Sequence, residues 1–194
     1  MKIILASSSP YRQSLLKRLN LPFDCHSPNI DETPLRGESA PMLTERLSRE
    51  KALTLQTEYP KHLIIASDQA AQLNNTILGK PGTEQNAIEQ LMKCSGKSVT
   101  FYTGLCLLNT QTNHCQMDTV PYTVHFRTLS RMAVENYIKE EMPLDCAGSF
   151  KCEGLGISLF SRMEGEDPNS LIGLPLIRLT SMLIKEGINP LLKR

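Results

Sequence analysis

The sequence predicts an α/β fold on the evidence of three features. Short apolar runs that are typical of buried strands alternate with amphipathic segments that have helical spacing. Two longer runs in the middle of the chain are rich in Val, Thr and aromatic residues, which favours neighbouring strands. The chain contains no internal repeat, low-complexity segment or linker composition, so residues 1–194 are predicted to form a single domain.

The first third of the chain predicts one strand and two helices. Residues 2–6 form a short apolar run that a Ser-Pro cluster ends, which indicates a buried strand. Ser9 and Pro10 are typical of a helix N-cap and first turn, so a helix begins there. Residues 27–41 are rich in Pro, Asp, Glu, Ser and Gly, which predicts a polar loop. Leucines interleaved with charges over 43–55 predict a second, amphipathic helix.

The alternation continues through the rest of the chain. The apolar run 63–66 predicts a strand that places Ser67, Asp68 and Gln69 at its end. Turn and capping residues bound the later elements. The other predicted strands are 76–78, 99–108, 120–126 and 157–160, and the other predicted helices are 83–93, one beginning near Ser130, and 174–185.

Composition excludes several classes of protein. Lys plus Arg total 21 and Asp plus Glu total 20, so the chain lacks the basic excess of proteins that bind nucleic-acid backbones. The opening apolar run is too short for an export signal and no run reaches the length of a membrane span, so we expect a cytoplasmic protein without a membrane partner. The six cysteines have no C-x-x-C spacing and are predicted to be single, reduced, small apolar residues.

A serine-rich junction between the first strand and the first helix is a candidate anion site. Residues 7–9 are serines, and Tyr11 and Arg12 follow where the helix begins. Hydroxyls, backbone N–H groups and a guanidinium at a helix N-terminus can bind phosphate, although an ordinary helix start explains the same residues. The sequence contains neither a P-loop nor a Rossmann fingerprint.

Acidic residues indicate metal-assisted chemistry. Asp31 and Glu32 lie in the polar loop, where they could ligate Mg²⁺ or Mn²⁺ together with substrate phosphates, or form a solvated turn. A carboxylate at the end of a buried strand is held rigidly, so Asp68 is a candidate general base or metal ligand, with a turn-capping role as the alternative.

Three lysines are candidate phosphate contacts. Lys51 lies on the second predicted helix, Lys80 lies in a Gly-Lys-Pro turn, and Lys151 lies in the glycine-rich segment 148–154. Each also has a structural explanation, as a solvated helix residue or part of a tight turn. Separated carboxylates with several cations are the set that metal-assisted attack on a polyphosphate requires.

Taken in order along the chain, these clusters resemble the Maf family of nucleoside triphosphate pyrophosphatases. The resemblance covers nearly the whole chain, and the ordered set is more specific than any one motif. The matching segments are 4–12, 31–33, 51–52, 67–69, 79–81, 103–104, 147–151, 153–154 and 173–175.

The resemblance implies a two-lobed α/β fold around an elongated, curved mixed sheet with a central cleft. It implies a small-molecule nucleoside triphosphate as substrate, release of pyrophosphate, and a divalent cation, Mg²⁺, Mn²⁺ or Co²⁺. Asp68 falls on the family's catalytic base and Asp31 on its first acidic position. The positions of its phosphate-binding cations are occupied by Arg12, Lys51, Lys80 and Lys151. We further expect a homodimer.

These roles imply attack of water on the α-phosphorus, with pyrophosphate as the leaving group. Asp68 orients and deprotonates the water, and it is counted with Asp31 and Glu32 among the metal ligands; the sequence leaves open whether it is base, ligand or both. The cations neutralise charge that develops on the leaving group. The alternative function is a nucleotide-binding regulator of septum formation without significant turnover, which could dispense with Asp68.

Three residues predict which base is recognised. Gln69 and Glu153 resemble the subgroup of the family that acts on 7-methyl-GTP, and Tyr11 stands where many members carry a basic residue. An aromatic face attracts the cationic methylated purine, and a carboxylate accepts from guanine N1–H and N2–H₂. The structural alternatives are that Tyr11 covers the first helix and that Glu153 pairs with Lys151.

Overall fold

The computed structural model describes residues 1–192, which form a mixed sheet of seven strands with five α-helices. The predicted α/β class is therefore confirmed. The strands are β1 (Lys2–Leu5), β2 (Asp24–Cys25), β3 (His62–Leu73), β4 (Thr76–Leu78), β5 (Ser98–Asn109), β6 (His114–Phe126) and β7 (Phe160–Gly165). The helices are α1 (Pro10–Lys17), α2 (Ala40–Thr54), α3 (Glu84–Cys94), α4 (Arg131–Glu141) and α5 (Leu176–Lys185). None of the described helices is long and apolar enough to cross a membrane.

The strand order is β2-β1-β3-β5-β6-β7, and β4 pairs with β3. Strand β1 runs parallel to both β2 and β3, whereas the β3–β4 and β6–β7 pairs are antiparallel. The chain divides into two compact units. The first contains residues 1–68, 103–120 and those described after 166, and the second contains residues 69–102 and 121–166.

The core of the first unit lies on both faces of its parallel strands. Ile4 and Leu5 of β1 lie opposite Ile64 and Ile65 of β3. Leu5 and Ile65 pack against α1 and α5, whereas Ile4 and Ile64 pack with residues of α2. A strand that is covered on both faces needs apolar residues at consecutive positions, which explains the short apolar runs of the sequence.

The core of the second unit contains a cluster of phenylalanine rings. Neighbouring rings pack edge to face, with centroids 4.8 to 5.9 Å apart. Gly148 has φ +78°, and a β-carbon there would lie 2.9 Å from the ring of one of them, so only glycine allows this close approach. The glycine-rich segment is therefore fixed to the core. The rings belong to Phe101, Phe126, Phe150 and Phe160.

The predicted helix starts are confirmed at three of the helices. The hydroxyl of Ser9 accepts a hydrogen bond from a backbone N–H in the first turn of α1. Thr83 and Ser130 cap α3 and α4 in the same way. Helix α5 begins at Leu176, slightly later than the predicted residue 174.

The prediction that Asp68 closes a strand is wrong. Strand β3 continues to Leu73, and its end pairs with β4, with Ala71 opposite Leu78. The side chains of Ala71 and Leu73 are buried, but these residues are not β-branched and give little strand signal. Asp68 therefore lies inside a strand of 12 residues and not at its end.

Two further expectations need correction. The predicted strand over 157–160 is a 3-10 turn over Leu155–Leu159, and β7 follows it, with exposed polar residues that look like a loop in sequence. All six cysteines are free, as predicted, but they are not all single. The sulfur atoms of Cys106 and Cys115 lie 3.2 Å apart, a contact between strands that spacing along the chain does not reveal.

Candidate active site

The first unit brings Lys51, Asp68 and Glu32 together. The Lys51 ammonium donates to the Asp68 carboxylate, with Nζ 2.5 Å from Oδ1, and lies 2.6 Å from Oε1 of Glu32. Lys51 and Asp68 are buried, with 6% and 7% of their surface exposed, whereas Glu32 is exposed. A charged lysine is rarely buried unless it is paired, so these two carboxylates explain how Lys51 is accommodated.

The geometry of β3 and α2 explains why the side chains of Asp68 and Lys51 are in contact. Successive side chains of a strand point to opposite faces, so Asp68 shares the face of Ile64 and Ala66. That face packs against Ala52 of α2, the residue that follows Lys51. The core thus holds α2 and β3 in contact, and this packing places the lysine of α2 next to the carboxylate of β3.

Arg12 lies in the first turn of α1, with its guanidinium turned toward the loop before α5. Its Nε donates to the carbonyl oxygen of Gly173 at 2.9 Å, and its Nη1 lies 3.5 Å from Oγ of Ser7. Burial lowers the pKa of the Arg12 guanidinium, and the negative charges of Asp68 and Glu32 oppose that shift. The guanidinium is therefore under the electrostatic influence of both carboxylates.

Ser67 connects the strand to the loop that holds Arg12. Its hydroxyl lies 2.9 Å from the carbonyl oxygen of Gly173 and 2.8 Å from that of Gly104, and the side chain is fully buried. A β-carbon at Gly104 would lie 2.2 Å from the carbonyl oxygen of Thr44 on α2, so β5 approaches the helix closely there. Gly104 and Gly173, which belong to two of the matching segments, thus help to position the residues around Asp68.

Asp31, predicted with Glu32 and Asp68 as a metal ligand, has a different environment. Asp31 is exposed, and its Oδ1 accepts the backbone N–H of Thr33 at 2.9 Å. The hydrogen bonds with Thr33 lower the pKa of Asp31. Within residues 1–192, no group of three or more His, Cys, Asp and Glu side chains is placed to hold a metal ion. Asp31 therefore forms a local turn, and only Glu32 and Asp68 are brought together.

The other predicted phosphate contacts belong to the second unit. Lys80 is exposed in the turn between β4 and α3. The Lys151 ammonium donates to the carbonyl oxygen of Glu141 at 2.7 Å, where a cation at the C-terminus of α4 is favourable. The backbone N–H of Lys151 donates to the hydroxyl of Tyr137 at 3.0 Å, which fixes the segment.

The predicted specificity residues lie in both units. Tyr11 is half-buried in the first unit, and Gln69 is half-buried at the start of the second. Glu153 is exposed, and its Oε2 accepts from the Cys152 thiol at 3.5 Å. The Lys151 ammonium contacts the Glu141 carbonyl, so the structure gives no support to the structural alternative, a pair of Lys151 with Glu153.

The arrangement in the first unit can perform acid–base chemistry on an anionic substrate. The buried Asp68 carboxylate contacts the Lys51 ammonium, and the Arg12 guanidinium is near enough to be influenced by its charge, so two cations accompany it. Sequence reasoning placed Ser67 and Gly173 in matching segments without predicting their contacts, and it missed the ion pair of Arg46 with Glu38, because these contacts join residues far apart in the chain or in an irregular loop.

Known proteins resemble this chain over nearly its whole length. Residues 2–186 match the protein family described as Maf-like protein. The 7-methyl-GTP pyrophosphatase of Pseudomonas fluorescens (strain Pf0-1) is 60% identical over 186 residues, which cover 96% of this chain and 97% of that protein. The protein of the same name from Pseudomonas aeruginosa (strain PAO1) is 59% identical over 186 residues, with the same coverage.

A solved structure has a similar fold. The Staphylococcus aureus Ham1 protein superposes with a TM-score of 0.54 and 13% sequence identity, covering 96% of this chain and all of that one. At this identity the likeness concerns the fold alone. It agrees with the α/β fold that the sequence predicted.

Proposed function

Since the chain belongs to the Maf-like protein family, we propose that it is a nucleoside triphosphate pyrophosphatase that prefers 7-methyl-GTP. The enzyme hydrolyses the α–β phosphoanhydride, so that the products are the nucleoside monophosphate and pyrophosphate. The observation that carries this proposal is identity of about 60% to proteins named 7-methyl-GTP pyrophosphatase, over 96% of the chain. The homodimer, the cytoplasmic location and the lack of a nucleic-acid partner stay predictions.

Asp68 is the proposed general base. Its carboxylate takes a proton from the water that attacks the α-phosphorus, and the Lys51 ammonium fixes one of its oxygens through the 2.5 Å contact. Arg12 is proposed to bind the triphosphate through guanidinium N–H groups other than the Nε that contacts Gly173. Lys80 and Lys151 of the second unit are proposed as further contacts to the triphosphate.

The chain's own residues fit a divalent cation in part. Oxygens of Glu32 and Asp68 both contact one ammonium, so a position between two carboxylates already favours a positive charge. Glu32 and Asp68 would hold Mg²⁺, Mn²⁺ or Co²⁺ with the substrate phosphates, and Asp31 would join only if its turn with Thr33 rearranged. Such a cation, when bound, polarises the phosphoryl oxygens and neutralises charge on the leaving group.

Glu153, Gln69 and Tyr11 are the proposed base-recognition residues. An exposed carboxylate at Glu153 is available to accept from guanine N1–H and N2–H₂, since Lys151 is directed to the end of α4. The ring of Tyr11 supplies an aromatic face for a purine that carries a positive charge after N7 methylation.

We expect kcat/KM to be highest for 7-methyl-GTP, clearly above GTP, and poor for dTTP. Glu153→Gln combined with Gln69→Thr should lower the kcat/KM ratio of 7-methyl-GTP to the other nucleotides by about tenfold or more. This factor corresponds to the loss of a hydrogen bond to a charged group. The measurement is steady-state release of pyrophosphate from each nucleotide. The control is Glu140→Gln, an exposed carboxylate on α4. Equal rates on GTP and 7-methyl-GTP, or a preference for dTTP, would refute the proposed recognition.

A further inference from the structure

Arg46 on α2 contacts the polar loop that precedes this helix through several hydrogen bonds. Its Nε lies 2.7 Å from Oε1 of Glu38 and its Nη2 lies 2.9 Å from Oε2, a bidentate ion pair. The same Nη2 donates to the carbonyl oxygen of Thr33 at 3.2 Å. Glu38 in turn accepts the backbone N–H of Leu35 at 2.9 Å. One arginine thus joins α2 to both ends of the loop segment 33–38.

This ion pair is more than a surface contact. The side chain of Glu38 is only 6% exposed, and its hydrogen bonds with Arg46 lower the pKa of the carboxyl. A bidentate, half-buried guanidinium–carboxylate pair fixes geometry in a way that a single exposed contact does not. The loop has no helix or strand of its own over residues 27–38, so its conformation depends on such contacts.

The loop carries a residue of the proposed site. Thr33, whose carbonyl Arg46 holds, is the neighbour of Glu32, whose carboxylate lies 2.6 Å from the Lys51 ammonium. Arg46 and Lys51 both belong to α2. The loop is therefore attached to one helix at two adjacent residues: by the Thr33 carbonyl to Arg46 and by the Glu32 carboxylate to Lys51.

We propose that Arg46, acting through Glu38, is a positioning residue that keeps Glu32 within reach of Lys51 and Asp68. The expected effect of Arg46 on catalysis rests on the proposed function, whereas its expected effect on the loop does not. Arg46 also contacts Glu50 on its own helix, with Nη1 3.1 Å from Oε2. That contact does not touch the loop, so Glu50→Gln is a matched control.

The test compares Arg46→Ala, Arg46→Lys, Glu38→Gln, the Arg46→Ala/Glu38→Gln double variant and Glu50→Gln. Hydrogen exchange of the free protein should become about tenfold faster for backbone amides of residues 31–38 in the first four variants, because the loop opens locally. Lysine cannot make the bidentate contact, so Arg46→Lys should not restore the wild-type rate. The double variant should resemble Arg46→Ala, since that variant already lacks the contact with Glu38 together with the one to the Thr33 carbonyl.

Activity provides the second readout. The Mn²⁺ concentration for half-maximal pyrophosphate release should rise about tenfold in Arg46→Ala and Glu38→Gln, the lower end for residues that orient metal ligands. At saturating Mn²⁺, kcat should change less than about threefold, because Asp68 and the cations remain. Glu50→Gln should match the wild type in both measurements.

Unchanged exchange of residues 31–38 in Arg46→Ala would overturn the proposal. So would faster exchange throughout the first unit, which would mean that Arg46 stabilises the fold rather than the loop, or an equal effect of Glu50→Gln. A wild-type protein that releases no pyrophosphate would contradict the proposed function instead. The exchange measurement would still decide whether Arg46 holds the loop.

Discussion

Replacement of Asp68 by Asn should lower kcat for 7-methyl-GTP by about 10² or more, the range of a lost general base. The amide has nearly the same shape, but it cannot take the proton of the attacking water. Asp68 is almost completely buried beside Lys51, so bulk water does not easily replace its carboxylate. The measurement is pyrophosphate release at saturating nucleotide and metal, together with thermal unfolding.

The fold should survive this change, because Lys51 keeps its contact with Glu32. Asp24→Asn, an exposed carboxylate in β2, is the matched control and should keep wild-type turnover. Near-normal kcat in Asp68→Asn would remove Asp68 from the chemistry. A variant that unfolds at assay temperature would reduce the residue to a structural partner of Lys51.

Replacement of Lys51 by Met should damage both activity and stability. Without the ammonium, Asp68 and Glu32 have no cation between them, and one of these carboxylates is buried. Breaking a buried ion pair from one side costs about 3 kcal/mol, which lowers Tm by roughly 10 °C at this chain length. We expect kcat/KM to fall by about 10² or more, because the carboxylate loses its orientation and the triphosphate loses a cation.

Added Mn²⁺ distinguishes the electrostatic explanation from simple loss of packing. A divalent cation can compensate two uncompensated carboxylates, so Mn²⁺ should raise the Tm of Lys51→Met more than that of the wild type. Lys17→Met, an exposed lysine in α1, is the control and should lose neither stability nor activity. A Tm for Lys51→Met equal to the wild type, or one that Mn²⁺ does not raise further, would contradict this account.

Local signals account for the parts of the fold that could be predicted from the sequence. Ser9 before Pro10, Thr83 and Ser130 mark helix starts by capping chemistry that acts within one turn. Strand β1 follows from four consecutive residues of which three are buried. The far half of β3 and the edge strand β7 were missed, because their residues gain strand structure from a paired neighbour and not from their own preference.

The candidate site residues could be named from the sequence, but the contacts among them could not. Lys51 was expected to bind phosphate, whereas the structure places its ammonium between Glu32 and Asp68. Lys151 was expected to do the same, and its ammonium caps α4. Contacts such as Arg46 to Thr33 join a helix to an irregular loop, and neither periodicity nor capping residues report them.

The central claim is that water attacks the α-phosphorus of 7-methyl-GTP and releases pyrophosphate. The most direct measurement is mass spectrometry of both products after turnover with Mn²⁺ in heavy-oxygen water, with EDTA as the control. The account predicts one heavy oxygen in 7-methyl-GMP, unlabelled pyrophosphate in equal amount, and no product when EDTA removes the metal. Heavy oxygen in pyrophosphate, or orthophosphate as the first product, would contradict it, and absence of turnover would favour a nucleotide-binding regulator.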